Sequence, residues 1–166
     1  MTTTVLELPS GTCALRRATA ADLDAILGLL ADDPISAARG DTGSDADRPA
    51  YERAFAAIDA DSAQQLLVAT VDGAVVATMQ LTVIPGLARS GASRLQIEAV
   101  RVRADRRNLG IGAAMVRWAV AQAPALGVAL VQLTSDAARV DAHRFYERLG
   151  FTASHVGFKL PVAFGR

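Results

Sequence analysis

One cysteine, two histidines and no excess of either charge mark what this 166-residue chain does without. Cys13 stands alone, so no intramolecular disulfide and no thiolate metal cluster can form. His143 and His155 are isolated from each other and make no zinc-ligand pattern, so no metal is expected. Seventeen basic residues balance seventeen acidic ones. Phosphate-backbone binding depends on a basic excess, and the totals therefore ask for no nucleic acid. No apolar run approaches the roughly 20 residues that span a bilayer. Met1 to Pro9 lacks the basic and then apolar regions of a secretion signal. These absences lead to the expectation of a soluble cytoplasmic protein without a membrane partner. A Gly-x-Ser-x-Gly elbow is also missing, which leaves hydrolase chemistry unsupported.

What is present is a globular composition, 51% hydrophobic, without repeats, low-complexity tracts or a dividing linker. One domain over residues 1–166 is expected. Cys13 to Arg17 reads as a first strand. Thr19-Ala-Ala-Asp22 then starts a helix with Leu23, Ile26, Leu27 and Leu30 at helical spacing. Residues 32–49 are a polar loop with five aspartates, or a loop holding a short helix, and Tyr51 to Ala60 is helical. Gln65 to Val71 and Ala74 to Leu81 flank Asp72-Gly73, a strong hairpin signal. A second polar loop opens at Pro85-Gly86 and ends near Ser93.

Leu95 to Val102 is a strand whose alternation puts Ile97, Ala99 and Arg101 on one face, and Glu98, Val100 and Val102 on the other. A helix from Leu109 carries Ile111, Met115 and Trp118 on one stripe, with Pro124 expected to end or kink it and Gly127 suited to its exit. Val128 to Leu133 is a buried strand. Asp141 caps a last helix through Leu149, with Gly150 at its exit. Phe151 to Val156 and Phe158 to Leu160 are the closing strands.

The segment from Val100 to Met115 carries the chemistry. A strand enters a turn holding Arg106, Arg107, Gly110 and Gly112, and the turn runs into a helix. The free N–H groups of a helix's first turn attract an anion, and glycines let a phosphate approach the backbone. A strand-to-helix turn that uses glycines only for tight packing has the same spacing. The turn lacks the Gly-Lys-Ser/Thr of a Walker loop and the third glycine of a dinucleotide fingerprint.

Arg107-x-x-Gly110-x-Gly112, entered from Val100-x-Val102, resembles the pyrophosphate-binding motif A of the GNAT acetyltransferases. Ala142-x-x-Phe145-Tyr146, followed by Gly150-Phe151, resembles the motif B of that family. The resemblance is close from Leu95 to Phe151 and looser before it. It implies an α/β (α+β) fold: a mixed, mostly antiparallel twisted sheet flanked by helices and splayed at an acetyl-CoA cleft. It implies acetyl-CoA as cosubstrate and an amine as acceptor.

Carried onto this chain, the resemblance pairs the backbone of the Val100–Arg101–Val102 strand with the pantetheine arm. Amides of Arg107, Asn108, Leu109, Gly110, Ile111, Gly112 and Ala113 would hold the pyrophosphate, and Thr134 to Asp136 lie beside the arm. Where the family often has asparagine, this chain has Arg139, which could reach a cofactor phosphate or pair with Asp136 or Asp141.

Glu98 is the candidate general base, since an amine near pKa ~10 is mostly protonated at neutral pH. It could instead face solvent or pair with Arg94 or Arg101. Tyr146 is the candidate acid for the leaving thiolate, or an aromatic that packs the last helix. A backbone amide of the Glu98–Val102 strand would polarise the carbonyl.

His143 reads as a surface or capping residue, His155 as structural and Cys13 as inert. The loop aspartates Asp32, Asp33, Asp41, Asp45 and Asp47 could draw a cationic acceptor, whereas Arg89 and Arg94 could favour one bearing a carboxylate. A small-molecule amine of antibiotic, amino-acid or polyamine type is expected ahead of a protein lysine or N-terminal amine. A non-catalytic acyl-CoA-binding module is the alternative from another class. An apolar C-terminal strand such as Phe158 to Val162 could support a homodimer.

Overall fold

Asp72 and Gly73 both take positive φ, 51° and 79°, and this tight turn joins two antiparallel strands of 8 and 11 residues. The computed structural model describes residues 3–9, 11–33 and 44–162. The chain divides into two units, Met1–Leu133 and Thr134–Arg166. The first holds β1 (Thr4–Leu8), β2 (Gly11–Arg17), α1 (Leu23–Ala31), α2 (Arg48–Ala60), β3 (Gln64–Val71), β4 (Ala74–Ile84), β5 (Ser93–Val102), α3 (Ile111–Gln122) and β6 (Val128–Leu133). The second holds α4 (Val140–Arg148).

The six strands follow one another across the sheet in chain order. Every neighbouring pair from β1 to β5 is antiparallel, and β5 with β6 is parallel. The expected mixed, mostly antiparallel sheet is therefore present. On one face Leu66 and Val68 join Ala18 and Ile26 in a buried cluster, with Phe55 and Ile58 of α2 packed against it. On the other face α3 packs against β1, β4 and β5. Its Ile111, Met115 and Val116 are fully buried, as are Leu15, Met79, Leu95 and Ile97 of the strands.

Several sequence expectations change in detail, among them that of a buried strand at Val128–Leu133, which is the sheet's last strand, has no buried residue and leaves Ala129 and Leu130 exposed. β1, at Thr4–Leu8, precedes the strand taken as first, and Leu8↔Gly11 closes that hairpin. α3 begins at Ile111, because Asn108 (φ 63°) and Gly110 (φ 89°) bend the backbone before it. Its buried stripe runs through Ile111, Met115, Val116 and Ala119, and Trp118 is half-buried. α4 begins at Val140 with Arg139 at its N-cap, so Asp141 lies in the first turn, where its charge suits the helix dipole. Phe151 to Val156 and Phe158 to Leu160 form no strand, since their backbone bonds to no neighbouring strand among the described residues. Asp41 and the rest of 34–43 lie outside the described residues, as does the side chain of Asp45.

The alternation in β5 is also corrected. Gln80 opposes Glu98 and Thr78 opposes Arg101, so Met79 faces two residues, Ala99 and Val100. This is a β-bulge, with Ala99 at φ 50°. The extra residue shifts the two-residue period by one. Arg101 therefore shares a face with Glu98, and Val102 shares a face with Ile97.

Thr19 opens the first helical segment through Asp22, whose carboxylate accepts from the Thr19 N–H at 2.7 Å and the Thr19 hydroxyl at 2.9 Å. The Arg16 guanidinium grips the same carboxylate in a fork, at 2.7 and 2.8 Å. That pairing holds the largely buried Asp22 carboxyl well below the usual carboxylate range. A depressed native pKa stabilises the fold above the unfolded value of ~3.9, and the gain fades as pH falls through the native pKa. Asp22→Asn should cost about 2 kcal/mol in chemical denaturation at pH 7, the scale of charge-assisted hydrogen bonds. The gap from the native chain should shrink as the measurement moves below about pH 4.

Gly110 offers a second check. Its positive φ disfavours any side chain, and an added Cβ would lie 2.8 Å from Pro9 Cδ. Gly110→Ala should lower stability by about 1–2 kcal/mol. Thermal melts of Gly110→Ala with Pro9→Ala should recover the steric part and leave the backbone part.

Candidate active site

β5 outruns its parallel neighbour. Its pairing with β6 ends at Ile97↔Leu133, while its pairing with β4 continues to Ala77↔Val102. Over Glu98–Val102 the strand thus has a sheet partner on one side and an open edge on the other. Arg103 donates its N–H to Val76 on β4 at 2.8 Å. The carbonyl of Val102 belongs to the same trans peptide and points the opposite way, to the open edge. By the two-residue alternation Val100 presents its backbone groups to that edge as well.

Two arginines occupy those carbonyls. Arg107 Nε donates to the Val102 oxygen at 3.0 Å, and Arg101 Nη1 to the Val100 oxygen at 2.8 Å. Both guanidiniums also meet the acidic end of α1. Arg107 Nη2 lies 3.0 Å from Asp32, and Arg101 Nη2 lies 3.4 Å from Asp33. Two of the five loop aspartates thus neutralise arginines beside the open edge. Asp47 accepts from the Ser44 hydroxyl at 2.8 Å.

After Val102 a single 3₁₀ turn, Ala104–Arg106, carries the chain to Arg107. The first helical bond of α3 is Ala114 N–H to Gly110 O at 2.9 Å. The N–H groups of Ile111, Gly112 and Ala113 consequently have no acceptor inside the helix. The half-buried Gly110 leads into them, and Leu109 and Asn108 stand exposed before it. Positive φ at Asn108 and Gly110 curls this stretch, and Arg103, Arg106 and Arg107 give it positive charge. Asp105 pairs with Arg103 at 2.6 Å and lies 3.6 Å from Arg106, which tempers that charge.

Glu98 is exposed, in register with Gln80 and on the face it shares with Arg101. Among the described residues its carboxylate makes no ion pair, so of the expected alternatives pairing with Arg94 or Arg101 is not taken up and exposure to solvent is.

The second unit holds the other named residues. Asp136 Oδ1 accepts from the Ala138 N–H at 2.9 Å, and its carbonyl accepts the Arg139 N–H at 3.0 Å. His143, expected as a surface or capping residue, is half-buried, with Nε2 2.8 Å from the same carbonyl. Asp141 sits 3.8 Å from Arg144. The Tyr146 ring packs edge-on against Phe145 and Phe151, with centroids 5.0 and 5.9 Å away. Ser135, beside Thr134, was not singled out from sequence, yet its hydroxyl oxygen is buried without a hydrogen-bond partner among the described residues. A lone serine after a strand gives no signal of that kind.

An acyl-CoA molecule fits the chemistry of these donors. The three unsatisfied amides at the start of α3 and the arginines of the turn suit its phosphates. The open β5 edge suits an extended amide-bearing arm. Among the described residues no group of side chains could hold a metal, and no helix is long and apolar enough to cross a membrane. Cys13 is buried, and burial pushes its thiol pKa up, which suits an inert core residue.

Known proteins place this arrangement. Residues 27–151 match the model of the acetyltransferase (GNAT) family. The aminoalkylphosphonate N-acetyltransferase of Salmonella typhimurium is 30% identical over 146 residues, 88% of this chain and 89% of its own. A solved structure of a transcriptional regulator from Bacillus halodurans is 39% identical, with a TM-score of 0.83 over 90% of this chain and 99% of the other. The glucosamine-6-phosphate N-acetyltransferase of Arabidopsis thaliana, at 20% identity and a TM-score of 0.75 over 90% or more of both chains, shares the fold. With the family model covering most of its length and both sequence motifs in order, this chain belongs to the GNAT family of acetyltransferases.

Proposed function

We propose that residues 1–166 act as one N-acetyltransferase domain that moves an acetyl group from acetyl-CoA to the primary amine of a small molecule. Both reactants are bound together, so much of the rate comes from proximity. The observation that carries the reading is the open edge of β5 running directly into the amide-rich turn before α3. Acetyl-CoA, when bound, supplies an activated thioester. Val100 and Val102 would hold its arm through backbone groups, and Arg107 to Ala113 its pyrophosphate.

The same resemblance gives Thr134, Asp136 and Arg139 as further cofactor-binding residues. Glu98 receives the proton that the acceptor amine gives up, directly or through water. Tyr146 holds the proton that the leaving sulfur requires. A backbone amide of β5 stabilises the charge that develops on the carbonyl oxygen. A small-molecule acceptor is supported by the Salmonella relative, whose name gives an aminoalkylphosphonate as its substrate. A second reading, an acyl-CoA-binding regulator without turnover, is favoured by the name of the Bacillus halodurans protein.

Calorimetric titration with acetyl-CoA, against CoA, ATP and NAD, is the first test. Selective binding of acetyl-CoA or CoA is expected, weakened about tenfold or more in Arg107→Ala by loss of a charge-assisted contact. Failure of both ligands to bind would sink the acetyltransferase reading.

Thiol release should then be followed over a panel holding an aminoalkylphosphonate, a polyamine, an aminoglycoside and a lysine peptide. Tyr146→Phe should keep acetyl-CoA affinity and lose about 100-fold in kcat. Glu98→Gln should lose kcat at neutral pH and recover part of it at higher pH, where more of the amine is neutral. Binding without turnover on any amine would favour the regulator.

A further inference from the structure

Four strands of the first unit carry an uncharged polar residue at the same height. Gln64 of β3 is in register with Thr82 of β4, Thr82 with Gln96 of β5, and Gln96 with Gln132 of β6. Residues directly opposite one another point to the same face, so these four make one row across the sheet. At a strand spacing of ~4.8 Å the row is about 14 Å wide. Gln80 stands on the same face two residues along β4, and opposite it is Glu98.

The side chains of the row tie one another in place. Gln80 Nε2 donates to Gln64 Oε1 at 2.7 Å, and the Thr82 hydroxyl donates to the same oxygen at 3.4 Å. Gln132 Nε2 donates to Gln96 Oε1 at 2.7 Å. Gln96 is buried and the other four are half-buried. Among the described residues the amide oxygens of Gln80 and Gln132 accept no bond.

Stability does not account for such a row. On the same face of β3, Leu66 and Val68 enter a buried cluster with Ile26, Phe55 and Ile58. Replacing both members of a paired amide by apolar groups of the same shape is close to neutral or stabilising. Oriented amides with spare donors and acceptors are instead what a ligand bearing uncharged polar groups requires, because its partners are already in place.

We propose that Gln64, Gln80, Thr82, Gln96 and Gln132 are the floor on which the acceptor's body lies, and that this body carries hydroxyl or amide groups. The floor presupposes the acetyltransferase reading, in which Glu98 takes the proton of the amine. None of the five side chains is charged, so they attract neither a second ammonium group nor an anion. Hydroxyls and amides both donate and accept, as these side chains do. Glu98 lies about 7 Å along β5 from the row. An amine at its carboxylate sets groups some way along the acceptor over Gln80, Thr82 and Gln96. Plain alkylamines have nothing to offer there.

Thiol release by the full chain, with acetyl-CoA saturating, is measured on glucosamine, glycylglycinamide and hexylamine. One of the two polar acceptors is expected to exceed hexylamine in kcat/KM by about tenfold, the scale of one or two neutral hydrogen bonds. Which of them does so separates hydroxyl from amide recognition. Gln80→Met and Gln132→Met keep the side-chain length and remove the hydrogen bonding. Each should raise KM for the preferred acceptor about fivefold with little change in kcat, and lower its preference over hexylamine by the same factor. Acetyl-CoA affinity, read by calorimetry, should stay as in the native chain. Turnover of neither polar acceptor, a native preference for hexylamine, or a preference that neither variant moves would overturn the floor while acetyl-CoA binding stands. Loss of acetyl-CoA binding in both variants would mark the row as structural and overturn it too. A native chain that binds no acetyl-CoA would strike the acetyltransferase reading itself, and the floor with it.

Discussion

The parting of β5 from β6 after Ile97 and Leu133 is the constraint on which the site depends. Up to that pair the two strands satisfy each other's backbone. Beyond it β5 continues for five residues with one side bonded and the other open. The bulge at Ala99 falls on the same stretch, where a strand gives up regular pairing to redirect its side chains. It turns Arg101 onto the Glu98 face and returns Val102 to the α3 side. One inserted residue thus decides which side chains the open edge carries and which enter the core.

Helix α1 is tied at both ends by arginine–aspartate pairs. At its start Arg16 clamps Asp22 in a largely buried fork, and at its end Arg101 and Arg107 meet Asp33 and Asp32. The second pairing offsets an unfavourable arrangement, since carboxylates at a helix C-terminus lie against the negative end of its dipole. It also links the turn before α3 to the acidic end of α1. Arg107 belongs to that turn by sequence and to the acidic end of α1 by contact. The charge of that turn is therefore set jointly by two segments 75 residues apart in the chain.

Local signals were read well where the backbone is decided locally. Asp72-Gly73 made the hairpin turn, Pro124 and Gly127 ended α3, and Gly150 ended α4, because these residues restrict or permit φ whatever surrounds them. Signals that need a partner were read less well. Thr4–Leu8 is a strand because Gly11–Leu15 lies beside it. Phe151 to Leu160 has the composition of a strand and is none, because no described strand lies beside it. The loop aspartates looked like a lure for a cationic acceptor, yet Asp32 and Asp33 are committed to arginines distant in the chain.

By itself the sequence determined the order of most elements, the two motifs and the family, since these rest on local φ preferences and on residue types at fixed spacing. Tertiary structure alone decided where β5 loses its neighbour, the inversion of its faces at Ala99 and the partners of Arg101 and Arg107. Register, bulges and long-range ion pairs depend on what another segment offers at the same height of the sheet. No single stretch of sequence carries that information.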